Sequence, residues 1–317
     1  MKLNISVIIP VYNASLYLRK AVNSALQLDD VKEVILAEDH STDDSLSLCE
    51  QLVSENSKIK LYQHPDKGNH GAGATRNLGI ENASSEYIAF LDADDYYLPN
   101  RFDTEKEIFK DSKVEGVFGA LGVEYLSEKG KAEFQEKFKN NDLTTVQYQA
   151  EGNDIFDGLL GLSTKIFGSF FHLNTLTVRR SSLIKYNLFF NKDLRVHQDS
   201  DFIIKLAYHC HLKTGIIDKA IAIRGVHDDN RITKIKLYSK KYNERQFLLW
   251  KSLFEWSKTQ KLDSDAKERI YLQHKAFDLS QRDNFNKILA LLITVFKNPA
   301  ILKTKYRFTY LNKYEAS

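Results

Sequence analysis

Two cysteines in 317 residues, Cys49 and Cys210, lie far apart, too few and too scattered for a disulfide framework or a zinc site. A reduced, cytoplasmic compartment fits that usage. No apolar run reaches the roughly 20 residues that a membrane-spanning helix needs. The chain passes from Met1-Lys2-Leu3-Asn4 straight into a strand pattern ending at Pro10, which is too short for a signal peptide. Charge of one sign is not in excess either, since 45 basic and 42 acidic residues give a net +3. There is no basic stripe interleaved with aromatics, so nothing points to nucleic acid as a partner. Internal repeats and low-complexity segments are missing as well. The 43% hydrophobic and 12% aromatic content describes a globular chain with a sizeable core. Its length suits one large domain, or a core domain with an appended piece.

The most informative stretch is residues 86–95, EYIAFLDADD. Residues 87–91 are a short apolar run of strand formers, suited to a buried parallel strand. The run ends in three carboxylates, Asp92, Asp94 and Asp95. Like charges gathered at a strand end repel and raise one another's pKa, so a cation is needed to hold them. Carboxylate oxygens suit Mg²⁺ or Mn²⁺, and ligands of open α/β sheets sit outside the carboxyl ends of the strands. The plain alternative is an acidic loop that starts the next helix, with Asp95 or Asn100 as its cap.

Strand patterns over 5–11, 31–37, 59–63 and 87–91 alternate with helical patterns over 16–26, 45–55 and 72–80. That alternation implies a parallel, doubly wound sheet with helices on both faces. Its strand ends bring Asn13, the 38–43 run and the 92–95 cluster to one edge. Beyond Asn100 the regularity falls. We expect a helix over 101–110, a strand or hairpin over 114–125, and a charged loop or water-facing helix over 128–142. A Gly/Ser-containing loop near the site follows over 158–169, then a strand over 173–178. Short helices over 183–188 and 199–208 and a last strand over 220–226 lead into HDDNR. After Lys236 the composition turns to helices rich in Lys, Gln and aromatics.

Four runs stand in a telling order: VIIPVYN at 7–13, EDHSTDDS at 38–45, GAGATRNLGI at 71–80 and YIAFLDADDYYLPN at 87–100. With them the chain resembles the family-2 inverting glycosyltransferases of the GT-A fold. The likeness is strong over the first third and continues in trace to about residue 231, where Gln198-Asp199 and His227 match more loosely. The resemblance implies an α/β, Rossmann-like, mostly parallel sheet with helices on both faces, plus a C-terminal helical extension. It implies a nucleotide-sugar-binding and catalytic domain over 1–231 and a helical region over 232–317 near acceptor or membrane. The implied reaction is metal-dependent transfer of a hexosyl unit from a nucleotide sugar, UDP-linked, to an acceptor hydroxyl. The acceptor would be a saccharide or lipid-linked saccharide in surface polysaccharide or glycoconjugate synthesis.

Carried over residue by residue, the family pattern puts Asp94 on Mn²⁺ or Mg²⁺, with His227 completing the metal site and Asp92 near the ribose and diphosphate. A departing diphosphate gains negative charge, which a divalent cation offsets. Asp39 matches the position that accepts from the uracil imide N–H, and Pro10, Val11 and Asn13 line the base pocket. Glu38 and His40 depart from the family's Asp and small residue, so the base is the least fixed part of the pattern. Arg76, three residues past Gly73, pairs either with the donor or with Asp92 or another strand-end carboxylate. Arg231 either reaches the diphosphate or is solvated.

An inverting transfer needs a base on the acceptor hydroxyl. Asp199 matches that position, with Gln198 where the family has Glu and Asp201 as competitor. The plain alternative is that Asp199 or Ser200 caps a helix. Residues 288–302, ILALLITVFKNPAIL, are flanked by Lys287, Lys303, Lys305 and Arg307. They form either a helix packed on its own domain or one that makes peripheral membrane contact. Two rival classes are a non-catalytic nucleotide-sugar-binding module and an Asp-nucleophile phosphatase. Against the latter, Tyr96 stands where such enzymes carry Thr.

Overall fold

A computed structural model of the chain describes residues 2–138, 143–168, 170–228 and 237–304. The chain divides into two compact units, residues 1–195 with 202–230, and residues 196–201 with 231–317. The first unit opens with β1 (Ile5–Val11), α1 (Leu18–Leu26), β2 (Val31–Glu38), α2 (Ser45–Glu55), β3 (Ile59–Gln63), α3 (Ala72–Asn82) and β4 (Tyr87–Phe90). It continues with β5 (Tyr96–Tyr97), α4 (Glu105–Ile108), β6 (Gly116–Phe118), β7 (Ala120–Tyr125), α5 (Glu128–Phe138) and α6 (Asn153–Leu160). After these come β8 (Thr177–Arg179), α7 (Arg180–Lys185), α8 (Gln198–His209, whose first turn is assigned to the second unit), β9 (Leu212–Thr214) and β10 (Ala220–Val226).

Seven strands form one sheet in the order β3-β2-β1-β4-β8-β6-β9. The β3-β2-β1-β4 half is parallel, and β8 runs antiparallel between β4 and β6. Successive strand side chains point to opposite faces, and β1 uses both. Ile5, Val7, Ile9 and Val11 share a buried cluster with Leu18, Val22, Cys49 and Leu52 of α1 and α2. Ile8 points the other way, where a Cβ on Gly79 of α3 would lie 2.3 Å from its Cγ2. Helices therefore cover both faces, as the unbroken apolar run of β1 requires. Burial pushes the Cys49 thiol up to about 12 and raises Cys210 as well, which disfavours the thiolate at both.

A second, three-stranded sheet has the order β5-β10-β7. It shows that residues 114–125 are not a hairpin. Strands β6 and β7 are separated only by Gly119 yet belong to different sheets. The expected helix over 101–110 shrinks to the single turn of α4, because Arg101 is fully buried and bonds to the 174–177 segment. The expected strand over 173–178 begins as a 3₁₀ turn, Leu173–Thr175, and pairs only from Thr177. The stretch 158–169 starts inside α6, where buried Ile155, Phe156, Leu159 and Leu160 make a helical stripe that Gly158 does not break. Residues 128–138 of the charged segment are helical.

The second unit holds α9 (Lys240–Ser257), α10 (Ser264–Ser280), α11 (Asn284–Lys297) and a 3₁₀ turn, Pro299–Lys303. Ser239 caps α9 by accepting from the Tyr242 N–H, and Asp263 caps α10 by accepting from Ala266. Leu272, Ala276, Leu279 and Ile301 form its small core, against which Ala290, Leu291 and Val295 of α11 pack.

Candidate active site

Strand β4 ends at Phe90, and the next five residues bring the acidic cluster to the carboxyl edge of the parallel half-sheet. Each carboxylate has a different setting. Asp92 accepts from Arg76 Nη2 at 2.6 Å, and its backbone N–H donates to Asn174 Oδ1 at 3.0 Å. Burial pushes its carboxyl up, but the Arg76 guanidinium, with His172, more than offsets this and holds it below the usual carboxylate range. The structure therefore pairs Arg76 with Asp92, one of the partners the sequence left open. Arg76 is itself buried, and its Nε has no hydrogen-bond partner.

Asp94 is the most open of the three, with about a third of its side chain exposed, and its Oδ2 lies 3.2 Å from His227 Nε2. Tyr17 stacks on the His227 ring at 4.8 Å and orients it. The two residues assigned to a metal from the sequence, 133 positions apart, are thus neighbours. Asp95 is buried and accepts from the Asn174 amide and from the Gly225 N–H at 2.9 Å. Burial, then the Asp94 and Asp92 carboxylates, push its pKa well above the ordinary value. Gly225 must be glycine, since a Cβ there would sit 2.5 Å from the Asp94 carbonyl oxygen.

His172 and Asn174 were not found from the sequence. His172 Nδ1 accepts from the Asn174 N–H at 3.3 Å, which leaves the ring proton on Nε2, 3.9 Å from Asp92 Oδ2. Asp92, Asp95 and His172 each offer an atom within 4.8 Å of the others. Asn174 has no exposed surface and ties Asp92 to Asp95. No motif marks the HLN triplet, because its partners come from another strand end. Asn174→Asp is expected to turn a donor on Asp95 into a repelling carboxylate and to cost about 1–3 kcal/mol of stability. Denaturant unfolding checks this, and an unchanged midpoint would show that the amide bridge does not matter.

The neighbouring stretch of this edge is built by β1 and β2. The Asp39 N–H donates to Val11 O at 2.9 Å, continuing the β1–β2 ladder past Glu38. The buried Asp39 carboxylate accepts from Asn69 Nδ2 at 3.0 Å, His70 N at 2.7 Å and Gly71 N at 2.8 Å. It therefore shapes the loop before α3 and keeps one lone pair for another donor. Gly71 has a φ of +83°, which suits glycine, and a Cβ there would meet Arg195 Nη1 at 2.5 Å. Asn13 holds this edge from the other side, its Oδ1 accepting from Thr42 N at 2.8 Å. Pro10 is half-buried in β1. Glu38, the departure from the family pattern, is buried and accepts from Ser41 N and Gln63 Nε2.

In the second unit, Asp199 lies in the first turn of α8, half-buried, with its Oδ1 accepting from the Ser200 N–H at 2.9 Å. Asp201 has no exposed surface and accepts from Ser252 Oγ of α9 at 2.7 Å. That burial suits Asp201 to tying α8 to α9 and leaves Asp199 as the reachable carboxylate. Arg231 lies outside the described residues.

The comparisons with known proteins agree with this architecture. The family model described as "Glycosyl transferase family 2" matches residues 6–169. An uncharacterized glycosyltransferase of Rickettsia felis is 28% identical over 301 residues, covering 92% of this chain and 45% of that protein. A Campylobacter jejuni protein named GalNAc(5)-diNAcBac-PP-undecaprenol beta-1,3-glucosyltransferase is 28% identical over 250 residues, 74% of this chain and 78% of its own. The chain spans about half the length, or less, of several other curated relatives. Among solved structures, Staphylococcus aureus TarS 1-349 in complex with UDP-GlcNAc superposes with a TM-score of 0.63 at 16% identity. That match covers 98% of this chain and 88% of the other.

Proposed function

Because the chain belongs to glycosyl transferase family 2, we propose that it moves a hexosyl unit from a UDP-linked sugar to an acceptor hydroxyl with inversion. One observation carries the reading: Asp92, Asp94 and Asp95 meet Arg76, His172 and His227 at the carboxyl edge of β4. The crystallised TarS neighbour with UDP-GlcNAc and the Campylobacter glucosyltransferase support a nucleotide-sugar donor and a saccharide or lipid-linked saccharide acceptor. A Bacillus subtilis relative named as a minor teichoic acid biosynthesis protein supports a place in surface polysaccharide synthesis. The two buried, free thiols suit a reducing, cytoplasmic setting. Family membership sets the phosphatase reading aside.

The reaction asks for three things. The acceptor oxygen bonds to the anomeric carbon as the bond from that carbon to the diphosphate oxygen breaks. The electron pair leaves with the nucleoside diphosphate, and the acceptor proton passes to a base. Asp199 is assigned as that base. Asp39, Pro10, Val11 and Asn13 hold the base end of the donor, and Arg76, Asp92 and Arg231 its ribose and phosphates. An incoming phosphate competes with Asp92 for Arg76, whose orphaned Nε is a spare donor.

The donor set also fits Mn²⁺ or Mg²⁺. Carboxylate and imidazole atoms of Asp92, Asp95 and His172 converge beside Asp94 and His227, and the Asp95 pKa, raised first by burial and then by the Asp94 and Asp92 carboxylates, includes a repulsion that a cation relieves. Asp94 and His227 would hold it, since both Asp95 oxygens already accept N–H bonds. When bound, such an ion stabilises the charge that develops on the departing diphosphate.

Calorimetry with UDP, GDP, dTDP and CDP, with and without Mn²⁺, tests the assignment. UDP is expected to bind with a metal-dependent gain that Asp94→Asn abolishes. A preference for another nucleotide would overturn the Asp39–uracil contact. An undiminished metal gain in the variant would overturn Asp94 as ligand.

A further inference from the structure

Among the described residues no helix is long and apolar enough to cross a membrane, yet α11 carries an apolar face that no described residue covers. Phe285, Ile288, Leu289, Leu292, Ile293 and Phe296 are all exposed, Phe296 by 92% and Phe285 by 75%. At 100° per residue these six fall within an arc of about 140°. The opposite side of the same helix, Ala290, Leu291 and Val295, packs on α10. The helix therefore packs on its own unit by one stripe, as one of the two readings of the sequence has it, and leaves the other face bare. Single exposed apolar residues are ordinary, whereas a contiguous face of six marks an interaction surface.

From this we infer that the α11 face docks on the headgroup layer of an anionic lipid bilayer. Charge names the occupant. Between Asn284 and Thr304 the chain has no Asp or Glu, while Lys287, Lys297 and Lys303 are all cationic. Lys297 and Lys303 are exposed at the C-terminal end of the face, beside exposed Leu302. Each such lysine adds about fivefold to the affinity for an anionic surface. Size points the same way. A helix of 14 residues is about 21 Å long, short of the roughly 30 Å hydrocarbon core, so it lies in the plane of the interface.

A second copy of the chain fits poorly. A footprint of about 21 by 10 Å falls well below the roughly 800 Å² per partner of a stable interface. Two such faces would also bring cations together with no carboxylate on the helix to answer them. The proposal goes beyond the transfer reading and rests on the second unit alone.

Vesicle flotation of the full chain tests it, with phosphatidylglycerol-containing vesicles against pure phosphatidylcholine. The wild type is expected to float with anionic vesicles, and less so at high salt. Leu292→Glu/Phe296→Glu should lower the partition coefficient at least about tenfold. Both positions are solvent-exposed, so circular dichroism and the melting temperature should match the wild type. Lys297→Glu/Lys303→Glu keeps the apolar face and should erase the preference for anionic over neutral vesicles.

Wild type that stays at the bottom of the gradient, or a glutamate variant that floats like the wild type, overturns the inference. So does light scattering that shows a dimer abolished by the glutamates while vesicles leave it intact, which would assign the face to a second copy. Flotation needs no nucleotide, so failure of the UDP assignment leaves its outcome untouched.

Discussion

Asp199→Asn is expected to slow sugar transfer by about 10²–10⁴-fold while nucleotide affinity stays as in the wild type. The amide keeps the size of the carboxylate and its acceptor for the Ser200 N–H. It cannot take a proton from the acceptor hydroxyl. Radiolabel transfer and calorimetry on the same preparation separate the two effects. Asp201→Asn serves as the contrast. Asp201 is fully buried and bonded to Ser252, so its replacement should lower the melting temperature more than the turnover. If Asp199→Asn transfers sugar at the wild-type rate, the base is elsewhere.

Arg101→Leu is expected to destabilise the first unit by about 3–5 kcal/mol, the usual cost of removing one partner of a buried ion pair. Arg101 has no exposed surface. Its guanidinium bonds Glu105 at 2.8 Å, the Asn174 and Leu176 carbonyls at 2.9 Å, and Thr177 Oγ1 at 3.2 Å. Leucine would strand Glu105 and free the turn that carries His172 and Asn174. Urea unfolding measures the loss, and Arg101→Leu/Glu105→Leu should recover part of it. A loss under about 1 kcal/mol would show that the pair is not holding the turn.

The pH dependence of that variant has a definite sign. Burial raises the Glu105 carboxyl, and Arg101 pulls it back down. Without Arg101 the folded-state pKa moves further above the unfolded value, so the folded state binds the proton more tightly. The deficit of the variant should therefore be smallest below the ordinary carboxylate pKa of about 4.3. It should grow as pH rises through the raised value.

The parallel half of the fold is legible because each of its strands is a local apolar run. The patterns over 5–11, 45–55 and 59–63 coincide with β1, α2 and β3. The acidic motif is legible for the same reason, since Asp92, Asp94 and Asp95 stand together in the chain. What hides is whatever depends on distant partners. Arg101 sits in a helical pattern, yet its four bonds to residues 105 and 174–177 decide its backbone. Asn174 and His172 carry no spacing signal, because the groups they touch lie near residue 92. The loop at 64–71 reads as a polar connector, and only the fold shows three of its residues donating to Asp39.

The pairing of Gly225 with Asp95 spans 130 residues, and this sets an order of events during synthesis. At 5–20 residues per second, roughly 6–26 s pass between the appearance of the two on a growing chain. Strands β1 to β4 can zip together in that interval, since their partners are all in hand. The carboxylates at the tip of β4 cannot. Until β10 arrives Asp92 has Arg76 and Asp95 has the Asn174 amide, but Asp95 lacks the Gly225 N–H and Asp94 the His227 ring. A ribosome-bound chain halted before residue 220 should thus carry the half-sheet and an acidic cluster that lacks the Gly225 and His227 contacts. The acidic cluster gains its last two contacts only when β10 and the residue after it have been made.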